Sequence, residues 1–338
     1  MEEKISLKTK LWRGLIFAFC LLVCLQCYYV LDLHYTPLAR YPFGTPEQRV
    51  LIEENLSADD IDYLITSQME PEVFMPFMEI DGFNIRNAYF YQVALQTRSA
   101  QPEIIVDFVN HYRKQWTLSE MESLLRFYSY NDLSDYSDSA QSAELISQPD
   151  DMLLTLDADH TVWTYTPSNL RMEGDLILNE EALNAWEALC TAALEDGIVL
   201  QPLAGYISFR QQKENGQNSS YPTSKSRPYG TREEQLGYSL VLEPAIRAVH
   251  PISACDEGDN GSYDELQLEE DDLLQAEWLN AHAADYGFII RYPENKSEAT
   301  SHTYQPFILR YTGIPAAVEM RDLDLCLEEY NEYLQAAQ

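Results

Sequence analysis

The chain has 338 residues, 46% of them hydrophobic, and a formal net charge of -33. That length holds one medium domain with an accessory region, or two small domains. So large an excess of carboxylates excludes broad contact with nucleic acid, which depends on clustered Lys and Arg, and it repels anionic polymers at long range.

Lys4, Lys8, Lys10 and Arg13 precede an apolar run from Gly14 to Leu31, interrupted only by Gln26 and followed by Asp32. The run is close to the ~20 residues that cross a bilayer. Cations ahead of it put residues 1–13 in the cytoplasm and the remainder outside. A cleaved signal peptide is the rival, but no small-x-small site lies near Tyr28–Leu33, so residues 14–31 are expected to be an uncleaved single-pass anchor in the cell membrane. Cys20, Cys24 and Cys27 lie inside the run and read as membrane-facing apolar groups. Cys190, Cys255 and Cys326 are odd in number and match no zinc knuckle or redox pair, so they define no disulfide framework.

Residues 32–55, punctuated by Pro37, Pro42, Gly44 and Pro46, read as a stalk. A helical accessory module is expected over 56–133. It starts at Ser57 and carries the stripe Ile104, Ile105, Phe108, Val109 and Tyr112, with a capping box of Ser119 and Glu122. Residues 134–150 read as a linker. From 151 to 338 short strands and helices alternate without a regular β-α-β series, which predicts an α+β domain: a mixed or antiparallel sheet with flanking helices. Asn179 caps a helix bearing Leu183, Trp186, Cys190 and Leu194, Gly197 ends it, and Ile198–Leu203 follows as a strand. Leu273–Tyr286 is a helix stopped by Gly287, Phe288–Tyr292 a strand closed by Pro293, and residues 319–334 a last helix.

Four ordered segments carry a resemblance. Tyr165-Thr166-Pro167-Ser168-Asn169-Leu170 leads in. Ala204-Gly205-Tyr206-Ile207-Ser208-Phe209 with Gln212 follows, and then Arg232-Glu233-Glu234-Gln235-Leu236-Gly237-Tyr238-Ser239-Leu240-Val241. The last holds Tyr286-Gly287-Phe288-Ile289-Ile290-Arg291-Tyr292-Pro293 with Lys296, and Tyr304-Gln305-Pro306-Phe307-Ile308-Leu309-Arg310-Tyr311. Together they resemble the motifs of the VanY-type D-alanyl-D-alanine carboxypeptidases, zinc peptidases that trim the terminal D-alanine from peptidoglycan stem peptides in bacteria.

The resemblance implies a zinc held by His, Asp and His, with water in the open fourth position and a Glu as general base. Carried across, the metal-ligand positions are Glu234, Val241 and Ile308, the general-base position is Gln305, and the substrate-directed Arg is Ile207. A carboxylate such as Glu234 ligates zinc, but Val241 and Ile308 offer no donor atom, and the amide of Gln305 cannot take a proton from water. No intact metal or catalytic site is expected, and hence no bound cofactor, although the family carries zinc. Tyr206, Ile207, Ser208, Gln212, Arg310 and Tyr311 remain as a residual cleft, in which Gln212 and Ser208 serve equally well as turn-stabilising groups. Glu233, Glu234, Glu243 and His302 form the one alternative metal set, which would need convergent geometry and supporting hydrogen bonds. His34, His160, His250 and His282 have no partner at ligand spacing, and the sequence holds no nucleophile elbow, phosphate loop or His-Glu-x-x-His helix. The sequons at Asn55, Asn218 and Asn295 have no use in a bacterial envelope.

The expectation is a membrane-anchored envelope pseudoenzyme that binds a peptidoglycan peptide or an envelope protein. The alternatives are an active carboxypeptidase with a rearranged site, and a structural spacer whose helical module is the interaction unit.

Overall fold

In the computed structural model, which describes residues 7–33, 37–139, 142–217, 228–243 and 270–337, the apolar run becomes one helix, Leu7–Leu33. Its stretch Leu11–Leu31 spans 21 residues with none of it buried, about 30 Å at 1.5 Å per residue. It is a candidate membrane span, by a length and composition that a signal sequence shares. Lys4, His34, Asn218, His250 and Cys255 fall outside the described residues.

The chain divides into two units, Met1–His111 and Tyr112–Gln338. In the first, the expected stalk is folded from residue 37 onward. Pro46 occupies the first turn of the helix Pro46–Asn55, where its missing N–H costs nothing, and Thr45 and Gln48 form a capping box around it. Leu38, Tyr41 and Ile52 enter one core with Leu64, Met69 and Phe74, and Arg49 ties the segment down through the carbonyls of Leu38 and Tyr41 at 2.9 and 2.6 Å. Ser57 caps the helix Ala58–Ser67 as expected.

The second unit begins at Tyr112, earlier than the boundary expected at 151. Its first full helix is Leu118–Phe127, whose cap is Thr117 with Glu120 rather than Ser119 with Glu122. The expected linker is largely structured: a helix runs over Tyr130–Asp138, and strand β1 (Glu144–Leu145) pairs in parallel with β2 (His160–Thr161). A hairpin of β3 (Leu170–Glu173) and β4 (Leu176–Asn179) feeds the helix Glu180–Glu195, capped by Asn179. That helix buries Leu183, Trp186, Leu189 and Ala193; Leu194 is 66% exposed, so the inward stripe lies one step away from the one expected.

The main sheet has four strands in the order β5-β6-β8-β7: β5 (Pro202–Ala204), β6 (Ser239–Leu242), β8 (Gln305–Tyr311) and β7 (Phe288–Tyr292). Every neighbouring pair is antiparallel, which with the flanking helices gives the expected α+β architecture. Leu240, Leu242, Phe288, Ile290, Phe307 and Leu309 are buried, and the helix Glu270–His282 packs on β7 and β8 with Trp278 and Leu279 inward. The single helix expected over 319–334 is two, Ile314–Leu323 and Leu327–Ala336, because Asp324 turns left-handed at φ 53°.

Candidate functional site

Strand pairing decides which motif residues meet. Val241 on β6 lies directly opposite Ile308 on β8 and, on its other side, opposite Ala204 on β5. Alternation along a strand sends successive side chains to opposite faces. Leu240, Leu242 and Leu309 are buried on the core side, while Val241 and Ile308 are partly exposed. Two of the three positions that the resemblance aligns with metal ligands are therefore neighbours on the open face of the sheet, and both are alkyl groups.

The third, Glu234, precedes β6 in the short turn Glu233–Leu236. Its carbonyl accepts from Gly237 N at 3.2 Å and from Ile207 N at 3.4 Å, which binds the second motif to the first. Gly237 closes the turn at φ 77°, a left-handed conformation suited to glycine. Gly205 is required for a different reason: a Cβ there would collide with the Ile177 carbonyl, which accepts from Tyr206 N at 2.7 Å. Gln305 opens β8, partly exposed, opposite Tyr292 on β7.

The remaining cleft candidates separate. Tyr206, Ile207, Ser208 and Tyr311 are partly exposed. Tyr206 OH donates to Thr166 Oγ1 at 3.5 Å, and burial raises its phenol. Ser208 caps the helix Phe209–Gln217, accepting from Gln211 N at 3.2 Å while Gln211 Oε1 accepts from Ser208 N at 2.9 Å. Gln212 and Arg310 are buried, although Arg310 shares the face of Ile308 by strand alternation. Gln212 is 4% exposed and acts as a strut: it accepts from Gly230 N at 3.1 Å and donates to Gln235 Oε1 at 2.8 Å, and Gln235 passes its own two N–H groups to the carbonyls of Trp163 and Tyr165.

Arg310 is fully buried because the carbonyls of Met152 and Leu154 cover it, each accepting from Nη2 at 3.0 Å. It belongs to an ion cluster that the sequence did not reveal. Glu233 accepts a bidentate pair of hydrogen bonds from Arg291, both 2.7 Å, and a longer one of 3.5 Å from Arg310. Arg291 reaches on to Glu328 at 2.6 Å. Burial works against the Glu233 charge, but Arg291 and then Arg310 outweigh it and hold the carboxyl below its ordinary range. The signal was present: one acid and two arginines, each inside a motif block.

With Glu233 engaged, the alternative metal set is not assembled. His302 Nδ1 lies 2.7 Å from the Thr300 carbonyl, and its ring stacks on Tyr292 at 4.2 Å. Glu243 is exposed at the end of β6. Among the described residues no group of three or more His, Cys, Asp or Glu could hold a metal ion. The donor set at Glu234, Val241 and Ile308 does not fit zinc, which needs three protein ligands and a water or four protein ligands. His160 pairs with Asp157 at 2.8 Å and His282 stacks on Trp278. Burial raises the Cys190 thiol to about 12 and the Cys326 thiol to about 11, so neither is a ready nucleophile.

Comparison with known proteins finds several relatives. The model of the VanY family, D-alanyl-D-alanine carboxypeptidase, matches residues 175–314. Over 172 residues the chain is 30% identical to the bifunctional D-Ala-D-Ala dipeptidase and D-Ala-D-Ala carboxypeptidase VanXYC of Enterococcus gallinarum, covering 47% of this chain and 80% of that one. It is 28% identical over 200 residues to YodJ of Bacillus subtilis (strain 168), covering 56% and 70%. The solved structure of the LdcB LD-carboxypeptidase aligns with a TM-score of 0.43 at 28% identity, over 58% of this chain and 92% of that one. The chain belongs to the VanY-type D-alanyl-D-alanine carboxypeptidase family.

Proposed function

We propose that this chain is a non-hydrolytic member of its family, held at the cell envelope by the helix Leu7–Leu33 with its second unit outside, where the altered cleft binds a cell-wall peptide without cutting it. The observation that carries this reading is the pairing of Val241 with Ile308 on the open face. At the two strand positions that the family resemblance assigns to metal ligands, two branched alkyl groups face the ligand space, and Gln305 supplies no base. The kept scaffold favours binding over loss of role: Gly205, Gly237, Gln212 and the cluster of Glu233, Arg291 and Arg310 all still perform structural work around that face. The peptide class follows from the named substrate of the VanXYC relative. Ile207, in place of a cation, weakens any claim on a terminal carboxylate, so the ligand is read as a stem peptide gripped along its length. Membrane orientation rests on the cations that precede the apolar run in the sequence.

The test incubates the full chain, in detergent, with a stem pentapeptide and added zinc. Binding detected by calorimetry with no release of D-alanine is the expected result. Metal-dependent release of D-alanine would refute the proposal and establish instead a carboxypeptidase working through Glu234 and a rearranged site.

A further inference from the structure

Four aromatic rings form a row beside the first motif. Tyr136 meets Trp163 edge-on at 5.8 Å, Trp163 leans on Phe209 at 4.9 Å, and Phe209 meets Tyr229 edge-on at 6.3 Å. All four are partly exposed, and Phe209 is one residue from Ser208 and two from Ile207, at the edge of the proposed cleft.

Two properties of Trp163 set the row apart from ordinary packing. Its backbone is left-handed, with φ 42°, a conformation that a bulky side chain rarely adopts. The chain holds it there: Trp163 N donates to Thr161 Oγ1 at 2.9 Å, and Gln235 Nε2 donates to Trp163 O at 2.6 Å. Its indole Nε1 is also buried with no hydrogen-bond acceptor, although a buried indole N–H ordinarily finds one. Backbone strain of this kind clusters at ligand sites.

Ring faces carry partial negative charge and attract the weakly positive C–H groups of an uncharged, amphipathic partner. The chain's net charge of -33 disfavours an anionic polymer at the same place. A pyranose ring meets both demands, since it offers a face of C–H groups and carries no charge. We propose that the row Tyr136, Trp163, Phe209 and Tyr229 is a saccharide-binding rim that takes the N-acetylated glycan strand while the adjoining cleft takes its peptide. The inference rests on the reading that the cleft binds a cell-wall peptide, because such a peptide is tethered to a sugar chain.

The experiment titrates the full chain, in a detergent without a sugar headgroup, with the tetramer of N-acetylglucosamine while tryptophan fluorescence is followed. A saturable change is expected. Trp163→Phe should abolish it, and Tyr229→Ala, at the end of the row, should weaken binding by about threefold to tenfold, the worth of one aromatic stacking contact. No saturable change, or a change undiminished in Tyr229→Ala, overturns the proposal whether or not Trp163→Phe folds. Calorimetry with a sugar-free stem pentapeptide on the same preparation separates the two readings. Peptide binding without sugar binding removes the rim alone; sugar binding without peptide binding keeps the rim and removes the peptide cleft.

Discussion

Glu233 and Arg291, 58 residues apart, meet through two hydrogen bonds of 2.7 Å in a buried, fork-shaped contact. Arg291 also pairs with Glu328, and Arg310 completes the set. Two acids and two arginines balance one another's charge, so the cluster tolerates burial as a whole but not the loss of a member. Glu233→Gln or Arg291→Met is expected to destabilise the second unit by about 3–5 kcal/mol, the usual result of stranding a buried charge. Thermal unfolding followed by near-ultraviolet circular dichroism measures it; a change within the error of the wild type would show that the cluster contributes nothing.

The same carboxyl sets a pH dependence. Its folded pKa is depressed below the unfolded value of about 4.3. The stabilisation is therefore complete above that value and is lost as pH falls through the folded pKa. Melting temperature should drop below about pH 4 in the wild type, and the drop should be smaller in Glu233→Gln. Parallel curves would assign the acid sensitivity to other carboxylates.

Metal content tests the altered positions. The purified chain should retain less than stoichiometric zinc after dialysis, and a chelator should leave its melting temperature unchanged. The combination Glu234→His, Val241→Asp and Ile308→His should create zinc affinity, because Val241 and Ile308 already face each other across the strands. Adding Gln305→Glu would supply the missing base. Stoichiometric zinc in the unaltered protein contradicts the assignment, and a triple variant that stays metal-free contradicts the placement of Glu234.

Gln212 gives a test of the strut. Replacing it with Ala leaves Gly230 N and the Gln235 amide short of partners inside the protein, a loss of about 1–3 kcal/mol. The segment from Trp163 to Thr166 should loosen with it, visible as faster amide exchange there than in β7. Uniform exchange rates across both would show that Gln212 does not hold that segment.

Orientation is checked with a cysteine at Glu195, exposed at the end of the helix Glu180–Glu195, in a chain carrying Cys190→Ser, Cys255→Ser and Cys326→Ser. A membrane-impermeant thiol reagent should label it on whole cells. Labelling that appears only after lysis would reverse the topology.

The readable parts of this fold were those in which local chemistry and tertiary role agree. Asn179, Gly287 and the strand Phe288–Tyr292 stand where their residue types predict. Prolines misled between 32 and 55, because Pro46 punctuates a loop and starts a helix with equal ease, and only the burial of Leu38, Tyr41 and Ile52 decides between them. Thr117 with Glu120 and Ser119 with Glu122 both satisfy the capping pattern, so the choice lay beyond local sequence. In the site, the motifs aligned Val241 and Ile308 with ligand positions, but neither their pairing across β6 and β8 nor the burial of Arg310 was legible in the sequence. That burial depends on the carbonyls of Met152 and Leu154, more than 150 residues earlier in the chain.

The link from Glu233 through Arg291 to Glu328 also fixes an order of events. During synthesis the turn that carries Glu234 can form early, but its neighbour Glu233 has no guanidinium until Arg291 emerges, 58 residues later, and Arg291 has no second carboxylate until Glu328 follows 37 residues after that. Contacts so distant in sequence are slow to close. A ribosome stalled before Leu327 would thus hold a chain whose cleft loop is still unlatched, and completion of the helix Leu327–Ala336 would be the step that commits the domain to its final form.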